Sequence, residues 1–414
     1  MIRWITDSLG TAAYNDAVHD EKTFQIVDVR DLVDKQGNST DAIRKKIDET
    51  LDILKQGKKA VICCDYGISR SNAIAAGVLS QLEGIPFSDA VQRIISTTGE
   101  KKIKVQMLSA VRKVIETEDI LHPTNRSQDT IMIVGNGIFG NFLKKLLPRH
   151  LKDTSIISRS ENKMGLLQGT GTLDTQVKEN DVGYIIHLAE PKMSSDNEAI
   201  GTSITLLKNC IDVCCDNEIT LIYPSSSEIY SGYQSANLRA SECLQPNPKS
   251  IYGQTKHLCE NLIAYSERTD RLRSIILRYS TIYGNRRPQF LYNFIDLANK
   301  DKDITTHMYR NGLPIVDLLH INDAVFACAA ALKANRTGIF NIGSGIGLTT
   351  FEIAQKIIER SGSNSKIGHI DIDEYVSNVV LDSSYAKKIL HWVPTVDFDD
   401  ELKLIITRSI EENS

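Results

Sequence analysis

Two turns constrain this chain more than any other feature, because each breaks a five-residue apolar run with a glycine-containing loop that opens into a helix. The first reads Ala60-Val-Ile-Cys-Cys64, then Asp65-Tyr-Gly-Ile-Ser-Arg70, then a small-residue helix over 71–82 stopped by Gly84. The second reads Thr130-Ile-Met-Ile-Val134, then Gly135-Asn-Gly-Ile-Phe-Gly140 and a helix through Leu147. In such a loop, successive backbone N–H groups face inward at a helix N-terminus and make an anion site. The loops are unrelated to each other, and the polar, proline-containing stretch 121–129 lies between them. A length of 414 residues predicts two or three domains, at roughly 150 residues each. The two turns set the expected division at a domain over 1–120, a linker over 121–129 and a domain over 130–414.

Beyond the second loop, apolar strands at 155–158, 184–188, 219–224 and 274–279 alternate with helices. That alternation predicts an α/β fold with a doubly wound parallel sheet, a Rossmann arrangement followed by a small C-terminal lobe. In the first domain a helix with Ile43, Ile47, Leu51 and Leu54 on one stripe, ended by Gly57, precedes the strand. Met107, Leu108, Val111, Val114 and Ile115 mark a helix after it.

Charge and composition remove several classes of function. The 48 basic and 52 acidic side chains leave a net charge of −4, so no basic field exists for nucleic acid or anionic lipid. No stretch approaches the roughly 20 apolar residues of a membrane helix. The start, Met-Ile-Arg-Trp-Ile-Thr-Asp, lacks the pattern of a secretory signal. The eight cysteines lack metal-ligand or disulfide-framework spacing and read as reduced thiols. A cytoplasmic protein without a bound metal is expected. Cys210, Cys214 and Cys215 read as core thiols on a helix, and His187 and His320 as packing or hydrogen-bonding residues.

In the first loop, Arg70 supplies a planar fork matching two phosphate oxygens. Cys64, under the positive field of the loop, is expected to have a lowered thiol pKa and to act as a nucleophile. Gly67 allows the tight turn, and Ser71 can donate to the departing thiolate. The segment Cys64-Asp-Tyr-Gly-Ile-Ser-Arg-Ser71, with its preceding strand and helix, resembles the signature loop of the protein tyrosine and dual-specificity phosphatases. The resemblance covers about residues 20–115 and implies a phosphocysteine mechanism on a phosphorylated small molecule or a phosphoprotein. It also implies an acid about thirty positions before the cysteine. Asp31 and Asp34 both fall in reach, and Asp31, following the strand at 24–29, is favoured. One position departs from the family: its histidine before the nucleophile is Cys63 here.

In the second loop, Gly135 allows the turn, Gly137 lets the backbone approach a pyrophosphate, and Gly140 permits close helix packing. The next strand ends in Ser158 and Arg159, with no acid until Glu161, which favours a 2′-phosphate and so NADP(H) over NAD. Farther on, Tyr252 and Lys256 share a helix face at i and i+4. The ammonium is expected to lower the phenol pKa so that Tyr252 exchanges a proton near neutral pH. Ser226, in Pro224-Ser-Ser226-Ser-Glu228-Ile-Tyr230 at a strand end, can hold a substrate oxygen.

These segments, with Ile186-His-Leu-Ala189, Leu277-Arg-Tyr-Ser-Thr-Ile-Tyr-Gly284, Asp317-Leu-Leu-His-Ile-Asn-Asp323 and Phe340-Asn-Ile-Gly343, resemble the extended short-chain dehydrogenases/reductases, the NAD(P)-dependent sugar epimerases and dehydratases. The resemblance covers 130–414. It implies Tyr252 as acid/base, Lys256 as the residue tuning it and holding the cofactor ribose, and Ser226 as the assisting hydroxyl. Ile138, Phe139, Leu188 and Ala189 are implied to line the cofactor, the substrate to be a sugar or nucleotide sugar, and the assembly a homodimer. Glu228 matches a carboxylate position of the dehydratases and decarboxylases and favours elimination. Two positions depart: Val316 stands where an arginine often contacts the nucleotide diphosphate, so either Arg286, Arg287 or Arg310 takes that task or the substrate is not an ordinary nucleotide sugar. Glu190 stands where a small residue lies near the cofactor. A bifunctional enzyme is the leading expectation. The alternative is that one domain is a silent phosphate- or NADP(H)-sensing module regulating the other.

Overall fold

The computed structural model describes residues 2–413 apart from 19–22, 35–36, 84, 86, 117–129, 136, 152–153, 161–163 and 191–196. The expected linker, Gly84 and Glu161 lie outside the described residues. The chain divides into two compact units, Met1–His122 and Pro123–Ser414.

In the first unit, β1 (Arg3–Trp4), β2 (Leu9–Ala13), β3 (Gln25–Asp28) and β4 (Ala60–Cys64) form a sheet in the order β1-β2-β4-β3. β4 is parallel to both of its neighbours. All five of its residues are buried, because both faces are covered. Ile62 and Cys64 face the main core, whereas Val61 and Cys63 join Ala12, Ala17 and Phe24 beside the short helix α1 (Tyr14–Ala17). α2 (Thr40–Lys55) starts at Ser39, whose Oγ accepts from the Ala42 amide at 3.1 Å, and buries Ile43 and Ile47. α3 (Arg70–Glu83) is buried throughout 71–80, since α2, α4 (Phe87–Thr98) and α5 (Val105–Glu116) all pack on it. Small residues such as Ala73, Ala75, Ala76 and Gly77 let those helices approach, which explains the composition of this helix.

The second unit is built on β5 (Thr130–Val134), β6 (Ser155–Arg159), β7 (Tyr184–His187) and β8 (Thr220–Ser226). After an edge strand β9 (Leu238–Ala240), the chain returns as β10 (Arg273–Tyr279). It then leaves through β11 (Thr281–Tyr283), β12 (Ile304–Tyr309) and β13 (Ile315–His320), and closes the main sheet with β14 (Gly338–Ile342). The main sheet runs β14-β10-β8-β7-β5-β6, every neighbouring pair parallel. Parallel strands need crossovers, and α6 (Ile138–His150), α7 (Gly171–Glu179), α8 (Asn197–Asp216), α9 (Ile251–Thr269) and, after the lobe helix α10 (Gln289–Ala298), α11 (Ile321–Ala334) supply them. Two apolar clusters cover the two faces of the sheet. The strand order reverses at β5, between β6 and β7, and the crevice at such a switch point is where ligands of this architecture bind. A lobe around α10, β12 and the helices Thr350–Ser361 and Phe398–Asn413 has its own core. No helix among the described residues is long and apolar enough to cross a membrane.

Candidate active sites

In the first unit the chain leaves β4 at Cys64 and turns through 65–69 into α3. Gly67 takes φ +66°, and a Cβ there would stand 2.5 Å from the Ala13 amide nitrogen, so the turn admits glycine alone. The amides of Tyr66, Ile68 and Ser71 thereby face the Sγ of Cys64, and the Ser71 Oγ lies 3.3 Å from it. Burial pushes the Cys64 thiol up, but the Ser71 hydroxyl and these three amides favour the thiolate more strongly and hold the thiol below its ordinary value. Cys63 does not take part. It points to the other face of β4, 3.7 Å from the Val61 carbonyl, and burial pushes its thiol up to about 12. The groups that favour the Cys64 thiolate therefore all lie in the loop and at Ser71.

Arg70 opens α3 and reaches back to the turn after β3, donating from Nη1 to the carbonyls of Arg30 at 3.2 Å and Leu32 at 2.9 Å. Its Nη2 pairs with Asp65, while Nε is buried without a partner among the described residues. A buried, unpartnered guanidinium N–H beside inward-facing amides fits an anion. The same turn carries both candidate acids. The Asp31 carboxylate is 61% exposed and held by Lys46 at 3.1 Å, whereas Asp34 has its Oδ1 buried and unpartnered. Sequence spacing alone did not separate these two environments.

In the second unit Gly135 follows β5 with φ +115°, and a Cβ there would fall 2.6 Å from the Leu188 backbone. Gly137 caps α6, and the space where its Cβ would stand is open for 4 Å. An open backbone at a helix N-terminus, placed at the switch point, fits a dinucleotide pyrophosphate. Leu188 and the buried Ala189 face this turn. Ile138 is exposed, while Phe139 packs edge-on against Tyr279 with ring centroids 5.5 Å apart. Ser158 and Arg159 end β6 beside the loop, and the exposed Arg159 turns its Nη1 back onto the Ser158 carbonyl at 3.0 Å.

Ser226 ends β8, and its Oγ accepts from the Glu228 amide at 3.2 Å, capping a short 3-10 turn, Ser227–Tyr230. The Glu228 carboxylate accepts from Ser250, the N-cap of α9, at 3.0 Å. The fit of this turn against α9 is tight: a Cβ on Gly253 would stand 2.4 Å from the Glu228 carbonyl. The packing brings Ser226, Tyr252 and Lys256 together, the Ser226 hydroxyl bonding the phenol and the Lys256 ammonium lying 5.7 Å from its ring centroid.

The electrostatics differ from the expectation of a lowered phenol pKa. Burial pushes Tyr252 up more than Lys256 and the Ser226 hydroxyl pull it down, and Glu190 and Glu228 add to the rise. Lys256 itself is held protonated: burial opposes its charge, but Glu190 and Tyr252 together raise its pKa more than burial lowers it. Its Nζ donates to the Glu190 Oε1 and to the Pro224 carbonyl, both at 2.7 Å. The departure at Glu190 therefore has a structural partner that sequence spacing did not reveal.

A second network also escaped the sequence. Arg278 of β10 chelates Glu260 of α9 through Nε at 3.0 Å and Nη2 at 2.6 Å, and Ser225 donates to the same carboxylate at 2.5 Å. It fixes α9 against β8 and β10, directly behind Tyr252 and Ser226. Of the cations proposed for a diphosphate, Arg310 is engaged by Asp373 at 2.6 Å on the surface. Arg286 and Arg287 lie on the turn after β11. Among the described residues no cluster could hold a metal ion. All eight cysteines are free thiols, Cys210 and Cys214 buried on α8. His187 stacks on Tyr223 at 6.2 Å, and His320 caps α11.

Residues 131–343 match the NAD dependent epimerase/dehydratase family. The chain is 29% identical over 206 residues to the uncharacterized UDP-glucose epimerase YtcB of Bacillus subtilis, which covers 48% of this chain and 64% of that protein. It is 27% identical over 249 residues to UDP-glucuronate 4-epimerase of Thermodesulfobacterium geofontis, covering 58% and 76%. Among solved structures, UDP-N-acetylglucosamine 4-epimerase from Bacillus cereus superposes with a TM-score of 0.56 at 25% identity, over 67% of this chain and 96% of that one. The Thermus thermophilus UDP-glucose 4-epimerase complex with NAD gives 0.57 at 20% identity, over 67% and 98%, a likeness of fold.

Proposed function

Since the chain belongs to the NAD dependent epimerase/dehydratase family, we propose that its second unit transiently oxidises one hydroxyl of a nucleotide-linked sugar and then restores the hydride, releasing an epimer or a dehydrated sugar. The observation that carries this reading is the convergence of Ser226, Tyr252 and Lys256 at the end of β8, one strand from the switch-point crevice. The nicotinamide, when bound, accepts and returns the hydride. Ser226 holds the reacting oxygen by its hydroxyl, and Tyr252 takes the proton from that oxygen as the C–H bond breaks, then returns it. Lys256 is the charge that stabilises the phenolate formed in between. Glu228, fixed by Ser250 beside Tyr252, supports elimination, which needs a second group to move a proton.

Gly135, Gly137 and Gly140 would hold the pyrophosphate and Lys256 a ribose hydroxyl. NAD is preferred over the NADP(H) expected from Ser158 and Arg159, because the family is NAD dependent and Arg159 is folded onto its own backbone. A homodimer through α9 is supported by its exposed apolar residues Ile251, Leu258 and Tyr265. The test is incubation with NAD and UDP- or dTDP-linked sugars, followed by mass spectrometry. An isomer of unchanged mass or a loss of water is expected. A chain that neither binds NAD nor converts any of these sugars overturns the proposal.

For the first unit we propose cysteine-dependent phosphoester hydrolysis, favoured by the amide-ringed, acid-shifted thiol of Cys64. The Cys64 thiolate forms the S–P bond as the P–O bond to the leaving group breaks, and Asp31 gives its proton to the departing oxygen. Water then cleaves the S–P bond and releases phosphate. Arg70 and the loop amides hold the phosphoryl oxygens throughout. The substrate is a phosphorylated small molecule or phosphoprotein, and release of phosphate from a small aryl phosphate is the assay.

A further inference from the structure

We propose that Glu190 is a positioning residue for the Tyr252–Lys256 pair: its carboxylate clamps the Lys256 ammonium against the Pro224 carbonyl and so sets how much of that charge reaches the Tyr252 phenol. The proposal rests on the reading of Tyr252 as the acid/base.

Glu190 follows β7, three residues past His187, and its Oε1 receives both the Lys256 ammonium at 2.7 Å and the Tyr223 hydroxyl at 3.0 Å. Lys256 is 7% exposed and Glu190 18%, so the pair is largely shielded from water and acts at close range. Two of the three ammonium N–H groups are committed, to Glu190 and to Pro224, leaving one for a ribose hydroxyl. Burial raises the Glu190 carboxyl, yet Lys256 and Tyr223 more than offset it and hold it ionised.

The charged groups acting on the phenol are Lys256 on α9, Glu228 on the turn after β8 and Glu190 past the end of β7, while the Cys259 thiol acts on Lys256, and Tyr223 and His187 act on Glu190. Among these Lys256 favours the phenolate, whereas Glu190 and Glu228 oppose it. Glu190 differs from Glu228 in also holding the cation itself. A cofactor ribose bound through the remaining N–H shares the ammonium with Glu190, so the clamp fixes where that charge sits relative to the phenol and the ribose alike.

The experiment is a spectrophotometric titration of tyrosinate in the cofactor-stripped full chain, with Tyr252→Phe subtracted to isolate Tyr252. Glu190→Gln keeps the shape and removes the charge, and its Tyr252 midpoint is expected on the order of one pH unit lower. The acid limb of its kcat/KM profile moves the same way. Tyr223→Phe removes the neutral donor from the shared oxygen, concentrates the carboxylate on Lys256, and moves the midpoint upward by a few tenths of a unit. Midpoints that coincide with the parent in both variants overturn the proposal, and the Tyr223→Phe result decides alone if Glu190→Gln does not fold. Full turnover by Tyr252→Phe instead overturns the acid/base reading and identifies that failure as distinct.

Discussion

Cys64, at the end of β4, and Tyr252, in the first turn of α9, are both weak acids whose ionisation burial disfavours, yet their pKa values move in opposite directions. At Cys64 the opposing force is hydrogen bonding: a hydroxyl and three amides, all fixed by one turn, point at the sulfur. At Tyr252 it is one hydroxyl, Ser226, and one ammonium at a distance, and a carboxylate has already claimed that ammonium. Short donors on a rigid backbone outweigh desolvation, whereas a neutralised charge does not.

Substitutions can break this contrast. The largest effect is expected for Cys64→Ser, which removes the nucleophile: aryl phosphate hydrolysis falls to background while sugar conversion is unchanged. Activity equal to the parent would end the phosphatase reading. Tyr252→Phe is expected to lower sugar conversion by about 10²- to 10⁴-fold, with hydrolysis at Cys64 intact, as followed by mass spectrometry and phosphate release on one preparation. Ser71→Ala removes one donor from the thiolate, so the Cys64 pKa rises. At a fixed pH below that pKa less thiolate is present, and alkylation by iodoacetamide slows by roughly three- to tenfold; a rate unchanged across pH would mean the amides alone set the thiol. Gly67→Ala imposes a positive φ on a side chain that meets the β2 backbone, and a loss of about 1–3 kcal/mol is expected in denaturant unfolding of the first unit. The smallest effect concerns the cofactor: NAD is expected to bind more tightly than NADP, and Arg159→Ala to leave NAD affinity within about twofold by calorimetry.

The strand–loop–helix turns were legible because their signals are local. The apolar runs, Gly67 and Gly135 sit within a few residues of the groups they position, and Tyr252 and Lys256 share a helix face by spacing alone. β2 was not legible: Leu9-Gly-Thr-Ala-Ala13 has weak strand formers and is a strand because β4 pairs with it. α4 buries Phe87, Ala90 and Ile94 on one stripe, at the three- and four-residue spacing of a helix face. The Glu190–Lys256 pair spans 66 positions, and no local pattern announces it. Arg278 and Glu260 likewise meet across the boundary between β10 and α9.

The alternation of β4 has a consequence for oxidation. Cys63 and Cys64 are the two thiols of the first unit, yet they project to opposite faces of a strand paired on both sides. A sulfenic acid formed on Cys64 by peroxide therefore cannot condense with Cys63 while the sheet is intact. Recovery of a peroxide-treated protein then depends on a thiol supplied from solution, and hydrolysis that returns without one would show that the strand opens.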